Sequence, residues 1–174
     1  MINELQIAVC DDSKTDLDKI TEMTSQIFSE AKILHSIIRY STGKTLLADI
    51  QSGVEFHILF LDVMMDGMNG IELAAELRKQ HDKTSIIFIS SNREMALCGY
   101  EVSAARYLAK PLDKSKMKEA LLYCCRDWQG KKEILLPTNQ SKQRISISDI
   151  QFIEAFGRGA KFFLENETVT ANSN

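Results

Sequence analysis

Short apolar runs alternate with amphipathic stretches along the first 127 residues of the chain. The runs are LQIAVC (5–10), ILHSIIRY (33–40), HILFLD (57–62), SIIFIS (85–90) and ARYLAK (105–110). Several are apolar at nearly every position, which is how a strand buried on both faces reads. Between them, apolar residues recur at helical spacing. Leu17, Ile20, Thr24, Ile27 and Phe28 fall on one face, as do Leu46, Leu47 and Ile50, and later Met117, Ala120, Leu121 and Cys124. Ser41 reads as a helix cap, Ser91 with Glu94 as a capping box, and Asp113 as the cap of the last helix. Five strand–helix units in alternation predict an α/β domain: a five-stranded, doubly wound parallel sheet with helices on both faces.

The period changes after Trp128. GKKE reads as a linker, and ILLP, RISI, IQFIEAF, AKFFLE and TVTA follow, with Gly157, Gly159 and Asn166 as turn residues between the later runs. A period of two with no intervening helix predicts antiparallel β structure. The expected organisation is therefore one domain over 1–127, a linker over 128–132 and an all-β segment over 133–174. That segment is thin for an independent all-β domain. Phe152, Phe156, Phe162 and Phe163 cannot all be buried by so few short strands.

Composition places few further limits. The chain has 174 residues, 44% hydrophobic and 26% charged, which is ordinary for a soluble globular protein. No apolar run approaches the ~20 residues of a membrane span. MINELQIAV has no basic segment before its apolar stretch, so it does not read as a secretory signal. A cytoplasmic location with no membrane partner is the expectation. Residues 131–174 carry six Lys/Arg and five Asp/Glu, or +1, which leaves −4 of the formal −3 on residues 1–130. An acidic first part argues against nucleic-acid binding there, whereas the mildly basic tail allows it. Cys10, Cys98, Cys124 and Cys125 lack the spacing of a zinc site and read as small buried thiols.

Sites in open α/β sheets form at the carboxyl ends of the strands. There the first run ends in Asp11 and Asp12, the third in Asp62, the fourth in Ser90, and the fifth in Lys110 followed by Pro111. A single loop aspartate is usually a turn or cap residue. Three carboxylates, a hydroxyl and an ammonium on one rim are a different matter. The carboxylates repel unless a divalent cation joins them, and hard oxygen ligands on an open rim suit Mg²⁺. An aspartate beside such an ion can attack phosphorus, with Lys110 and Ser90 binding the phosphoryl oxygens. Other candidates fall away. STGKT (41–45) lacks the first glycine of a P-loop, since that position is Ile38. His35, His57 and His81 are scattered and read as structural, and Met64, Met65 and Met68 read as packing.

AVCDDS, FLDVMMDGMNGIEL, FISS and RYLAKP, in this order and spacing, resemble the receiver domain of two-component response regulators over roughly residues 3–127. The resemblance implies a flavodoxin-like fold with Asp62 as phosphoacceptor. It implies that Asp11 and Asp12 belong to the acidic metal pocket, with Asp12, Asp62 and the backbone carbonyl of Met64 as the more direct Mg²⁺ ligands. Ser90 matches the switch hydroxyl, Tyr107 the aromatic switch residue and Lys110 the family's lysine, with a cis Lys110–Pro111 bond. It further implies a sensor histidine kinase as phosphoryl donor and a homodimer on phosphorylation.

The tail, best matched by SDIQFIEAFGRGAKFFL, resembles the opening of a LytTR-type DNA-binding domain (LytR/AgrA-like), which in that family is about twice as long. Family contacts to DNA come partly from interstrand loops, so Arg158 and Lys161 are DNA-contact candidates. Promoter DNA is an expected partner only with a complete effector domain. Two positions depart from the pattern: Asp66 stands where receivers of this type usually have proline, and Arg106 where many have aspartate.

Two alternatives remain beside this reading. A haloacid-dehalogenase-type phosphatase also uses a strand-end aspartate with Mg²⁺. It needs a second acid two places on, where this chain has Met64, and its acidic pair comes after the nucleophile. A stand-alone phospho-switched interaction domain is the other. On the favoured reading the protein is a regulator and not an enzyme acting on a separate substrate.

Overall fold

The computed structural model describes residues 4–80, 84–92, 101–130, 133–138, 142–157, 159–164 and 167–172. The chain divides into two compact units, Met1–Cys124 and Cys125–Asn174. The first is built from β1 (Leu5–Cys10), α1 (Lys14–Glu30), β2 (His35–Tyr40), α2 (Gly43–Gln51), β3 (Ile58–Asp62), α3 (Gly70–Lys79), β4 (Ser85–Ser90) and β5 (Arg106–Ala109). A last helix, α4 (Lys114–Gly130), begins in this unit. The sheet is five-stranded and parallel in the order β2-β1-β3-β4-β5. The order reverses between β1 and β3, so their carboxyl ends lie side by side at the switch point where such sheets bind ligands.

The apolar pattern explains which strands are central. Every residue of β3 and β4 is buried, and all of β1 except the half-buried Gln6. β2 reads as apolar but is an edge strand, and Ile38 and Arg39 are exposed. On one face Ala8, Cys10, Leu59, Leu61, Ile86 and Phe88 pack with Leu46 of α2 and Leu73, Ala74 and Leu77 of α3. The alternate residues Ile7, Val9, Ile58, Phe60, Ile87 and Ile89 are equally buried, as period-two strands require when both faces are covered. Burying each such side chain contributes roughly 1.5–3 kcal/mol before conformational entropy is set against it.

The helices start where local chemistry permits. Ser13 caps α1, its Oγ accepting from the Asp16 amide at 3.3 Å, and the buried residues of α1 are the predicted Leu17, Ile20, Thr24, Ile27 and Phe28. Thr42, not Ser41, caps α2, because its extended backbone aims Oγ1 at the Thr45 amide. Asn69 and Glu72 form a capping box on α3. Asp113 accepts from the Lys116 amide at 2.9 Å at the start of α4. α4 continues to Gly130 and so takes up residues 128–130 of the expected linker, since only Gly130 in that stretch disfavours helix. Glu94 of the expected capping box, Cys98 and His81 lie outside the described residues.

The second unit contains β6 (Glu133–Pro137), β7 (Lys142–Ser146), β8 (Ile150–Phe156), β9 (Gly159–Leu164) and β10 (Thr168–Asn172). They form an antiparallel pair, β6-β7, and an antiparallel sheet ordered β10-β9-β8. Leu136, Ile145, Val169 and Ala171 make a small core. Phe152 and Phe156 stay 56% and 41% exposed, although Phe152 stacks on Phe163 with ring centroids 4.1 Å apart. The few strands cannot bury all four phenylalanines. One placement is corrected. Lys161 lies not in a loop but within β9, opposite Glu154 and Thr170. Strand β9 finds a partner strand on each side, which leaves the turn to Gly157, with its φ of 48°. Arg158 lies outside the described residues.

Gly70 ties the fold to the strand ends. A Cβ at this position would sit 2.2 Å from the carbonyl oxygen of Asp62 and 3.3 Å from Cβ of Leu61. Backbone cannot yield as a flexible side chain would, so α3 can start here only without a side chain. Gly70→Ala should therefore lower stability by about 1–3 kcal/mol, the cost of forced overpacking. Urea unfolding measures it, and an unchanged midpoint would contradict this account of α3.

Candidate functional site

Backbone hydrogen bonds fix the chain at and just past the strand ends, where the site residues stand. The Asp11 amide donates to the Tyr40 carbonyl at 3.1 Å, the Val63 amide to Ile89 at 3.2 Å and the Lys110 amide to Ser90 at 2.8 Å. These bonds extend the ladder by one residue, so each functional side chain sits on a fixed backbone. Asp11 is fully buried, Asp62 is 4% exposed and Asp12 is exposed. One carboxylate oxygen from each can be chosen such that all three lie within 4.8 Å of one another.

Lys110 is the counter-charge. Its Nζ donates to Asp11 Oδ2 at 2.9 Å and to Asp16 Oδ2 at 2.8 Å, and lies 3.3 Å from Asp62 Oδ1. Burial alone would lower the ammonium's pKa. The hydrogen bonds to Asp16 and Asp11 and the charges of Asp62 and Asp11 outweigh it and hold the group above its ordinary value. Asp11 also accepts from the Ser13 amide at 2.8 Å. Asp62 is raised above the usual carboxylate range, first by burial and then by the charges of Asp11 and Asp12, against the opposing pull of Lys110. Burial with the same three carboxylates pushes the Cys10 thiol up to about 12, and it donates to Met65 Sδ at 3.6 Å. That thiol is an inert packing group.

Ser90 and Tyr107 are joined through one residue. The Asn92 amide donates to Ser90 Oγ at 3.1 Å, and the Tyr107 hydroxyl donates to the Asn92 carbonyl. Tyr107 packs against Phe88, centroids 6.4 Å apart. The Lys110–Pro111 bond is cis. Met64 lies in the loop after β3 with its side chain 58% exposed. Among the described residues Arg106 makes no ion pair with a carboxylate; its guanidinium lies 3.8 Å from the ring centroid of Tyr123. Asp16 was not legible as a site residue, because an acid in the first turn of a helix ordinarily serves the helix dipole. His57 has a structural role, its Nδ1 accepting from the Gln6 amide at 2.8 Å.

An oxygen-only donor set with one exposed member fits a hard divalent cation that keeps some of its waters. It does not fit a soft metal, since Cys10 is buried and turned to Met65. The fold and pocket define a doubly wound α/β protein with an acidic site at its sheet edge.

A model of the response regulator receiver domain matches residues 7–122. The chain belongs to that family. It is 28% identical over 117 residues to the positive alginate biosynthesis regulatory protein of Pseudomonas aeruginosa, covering 67% of this chain and 46% of that one. It is 26% identical over 117 residues to the transcriptional regulatory protein LytR of Staphylococcus aureus, with the same coverage of 67% and 46%. Among solved structures, the BeF3-activated DrrB receiver domain superposes with a TM-score of 0.60 at 26% identity, over 71% of this chain and 99% of that one. The response regulatory domain of mrkE from Klebsiella pneumoniae shares the fold, with a TM-score of 0.65 at 20% identity over 72% and 98%. The chain spans about half the length of the curated relatives it matches. The matched family is a regulatory one, and no helix among the described residues is long and apolar enough to cross a membrane.

The raised pKa of Asp62 has a thermodynamic consequence. The native state binds this proton more tightly than the unfolded chain does. Stability is therefore lost as pH rises from the ordinary value of 3.8 through the raised one. With divalent cations chelated, Asp62→Asn should be more stable than the parent at neutral pH, and the difference should shrink as pH falls through that window. Urea midpoints against pH measure this, and a less stable variant at neutral pH would contradict the assignment.

Proposed function

We propose that this chain is a phosphorylation-operated switch in which Asp62 accepts a phosphoryl group from a sensor histidine kinase. The observation that carries the reading is the Asp62 carboxylate, grouped with Asp11 and Asp12 and 3.3 Å from the ammonium of Lys110. An Asp62 oxygen attacks the phosphorus of the donor's phosphohistidine. The O–P bond forms as the P–N bond breaks, and the imidazole leaves and takes up a proton. Asp11, Asp12, Asp62 and the backbone carbonyl of Met64 are the groups that would hold Mg²⁺. That ion would supply charge stabilisation to the phosphoryl oxygens. Lys110 provides the second positive charge and Ser90 a hydroxyl donor. The haloacid-dehalogenase alternative lacks support, because Met64 stands where the second acid is needed and the matched family is regulatory.

Reorientation of Ser90 towards a phosphoryl oxygen would break its bond with the Asn92 amide. Tyr107 is tied to the carbonyl of the same residue, so the change reaches β5. A ligand with different affinity for two states shifts their populations, and the phosphoryl group plays that part. The altered surface around β5 and its flanking helices would favour a homodimer. We place the receiver at 1–127, a linker at 128–132 whose first three residues complete α4 and, at 133–174, the opening of a LytTR-type effector that controls transcription at promoter DNA when complete. Its antiparallel sheets and the names of the curated relatives support this. Lys161 and Arg158 remain the candidate DNA contacts.

Two experiments test the reading. Acetyl phosphate with Mg²⁺ should add one acid-stable, base-labile phosphoryl group per chain, abolished in Asp62→Asn. Unchanged labelling of that variant by intact mass would sink the assignment. Lys110→Ala should still accept fluoroberyllate or phosphate weakly but lose the monomer–dimer shift. Sedimentation before and after fluoroberyllate reads this, and a shift equal to the parent's would refute the coupling role of the lysine.

A further inference from the structure

Asp12 is the exposed member of the acidic cluster. It is also the one that the ammonium does not hold, because Lys110 pairs with Asp11, Asp16 and Asp62. An untethered carboxylate in water samples several rotamers, and ordering it on binding costs affinity. Among the described residues, Asp12 is held by one hydrogen bond, from the backbone amide of Asp66 to Oδ2 at 3.1 Å. Asp66 lies in the loop that leaves Asp62, and beside it Gly67 turns the chain with a φ of 80°. One loop thus starts at one carboxylate of the cluster and returns a donor to another. Proline, the usual residue here in the family the sequence resembles, has no amide hydrogen to give. The departure at Asp66 therefore acts through the backbone and not only through its charge.

We propose that the Asp66 amide is a positioning donor that fixes Asp12 for a divalent cation, an inference that rests on reading the cluster as a Mg²⁺ site. The bond engages one oxygen, Oδ2, and among the described residues leaves Oδ1 without a hydrogen bond. Carboxylate ligands are commonly oriented by such outer hydrogen bonds, and losing one weakens metal affinity about 10–100-fold. This bond is exposed to water, so the low end of that range applies.

The test separates the amide from the charge. Mg²⁺ binding to the full chain is measured by calorimetry for the parent, Asp66→Ala and Asp66→Pro. Alanine removes the carboxylate and keeps the amide hydrogen, whereas proline removes both. Asp66→Pro should bind about tenfold more weakly than Asp66→Ala, and the two should be equal in an Asp12→Ala background. Equal affinities with Asp12 present, or a difference that persists without it, would overturn the proposal alone. A parent chain that binds no Mg²⁺ would instead overturn the reading of the site on which it rests. Should the proline variant fail to fold, the Asp66 amide proton of the metal-free chain decides. Its resonance should move upfield in Asp12→Ala, and an unmoved resonance would refute the bond.

Discussion

Three carboxylates are held together at one end of the sheet, and the first unit is arranged around that constraint. Two like charges within 4.8 Å repel by roughly 3 kcal/mol near a protein surface, less where one faces water. Lys110 is the protein's own answer to this, and its three ion pairs reach the residue after β1, the first turn of α1 and the end of β3. The answer is incomplete, because one ammonium stands against four carboxylates, Asp11, Asp12, Asp16 and Asp62. The excess negative charge is what a divalent cation would balance. The topology makes the constraint unavoidable. With β1 and β3 adjacent, Asp11 and Asp62 must meet. The backbone bond from Lys110 to Ser90 then fixes where the ammonium enters.

Much of this was legible in the residues. The apolar runs of β1, β3 and β4 are short and nearly continuous, as strands covered on both faces are. The helical face of α1 matched residue for residue. The site was legible because its members all stand at strand ends, which a doubly wound sheet brings to one rim. What escaped was set by three-dimensional contact. Asp16 looks like any acid in a first helical turn, and only the reach of Lys110 recruits it. β2 carries an apolar sequence yet is half exposed, because strand order and not composition decides which strand is the edge. Arg106 reads as a lost acid, but the Tyr123 ring gives it a partner within the chain.

The second unit shows where periodicity stops being informative. Alternation identified antiparallel strands, but the width of a turn cannot be read from alternation. Lys161 was therefore placed in a loop, when pairing on both sides draws it into β9. That the four phenylalanines could not all be buried was foreseeable from strand number, but which of them stay exposed was not. The stacking of Phe152 on Phe163 comes from cross-strand pairing that the sequence does not encode locally.

The account rests on Lys110 and a bound cation serving one electrostatic purpose, which makes them thermodynamically linked. The direct measurement is urea unfolding of the parent and of Lys110→Met, each with and without Mg²⁺. Removing the ammonium should destabilise the cation-free chain. Mg²⁺ should then restore more stability to the variant than it adds to the parent, since binding to the native state alone raises stability in step with affinity. Equal stabilisation of the two chains by Mg²⁺ would contradict the claim that charge balance at these three carboxylates organises the site.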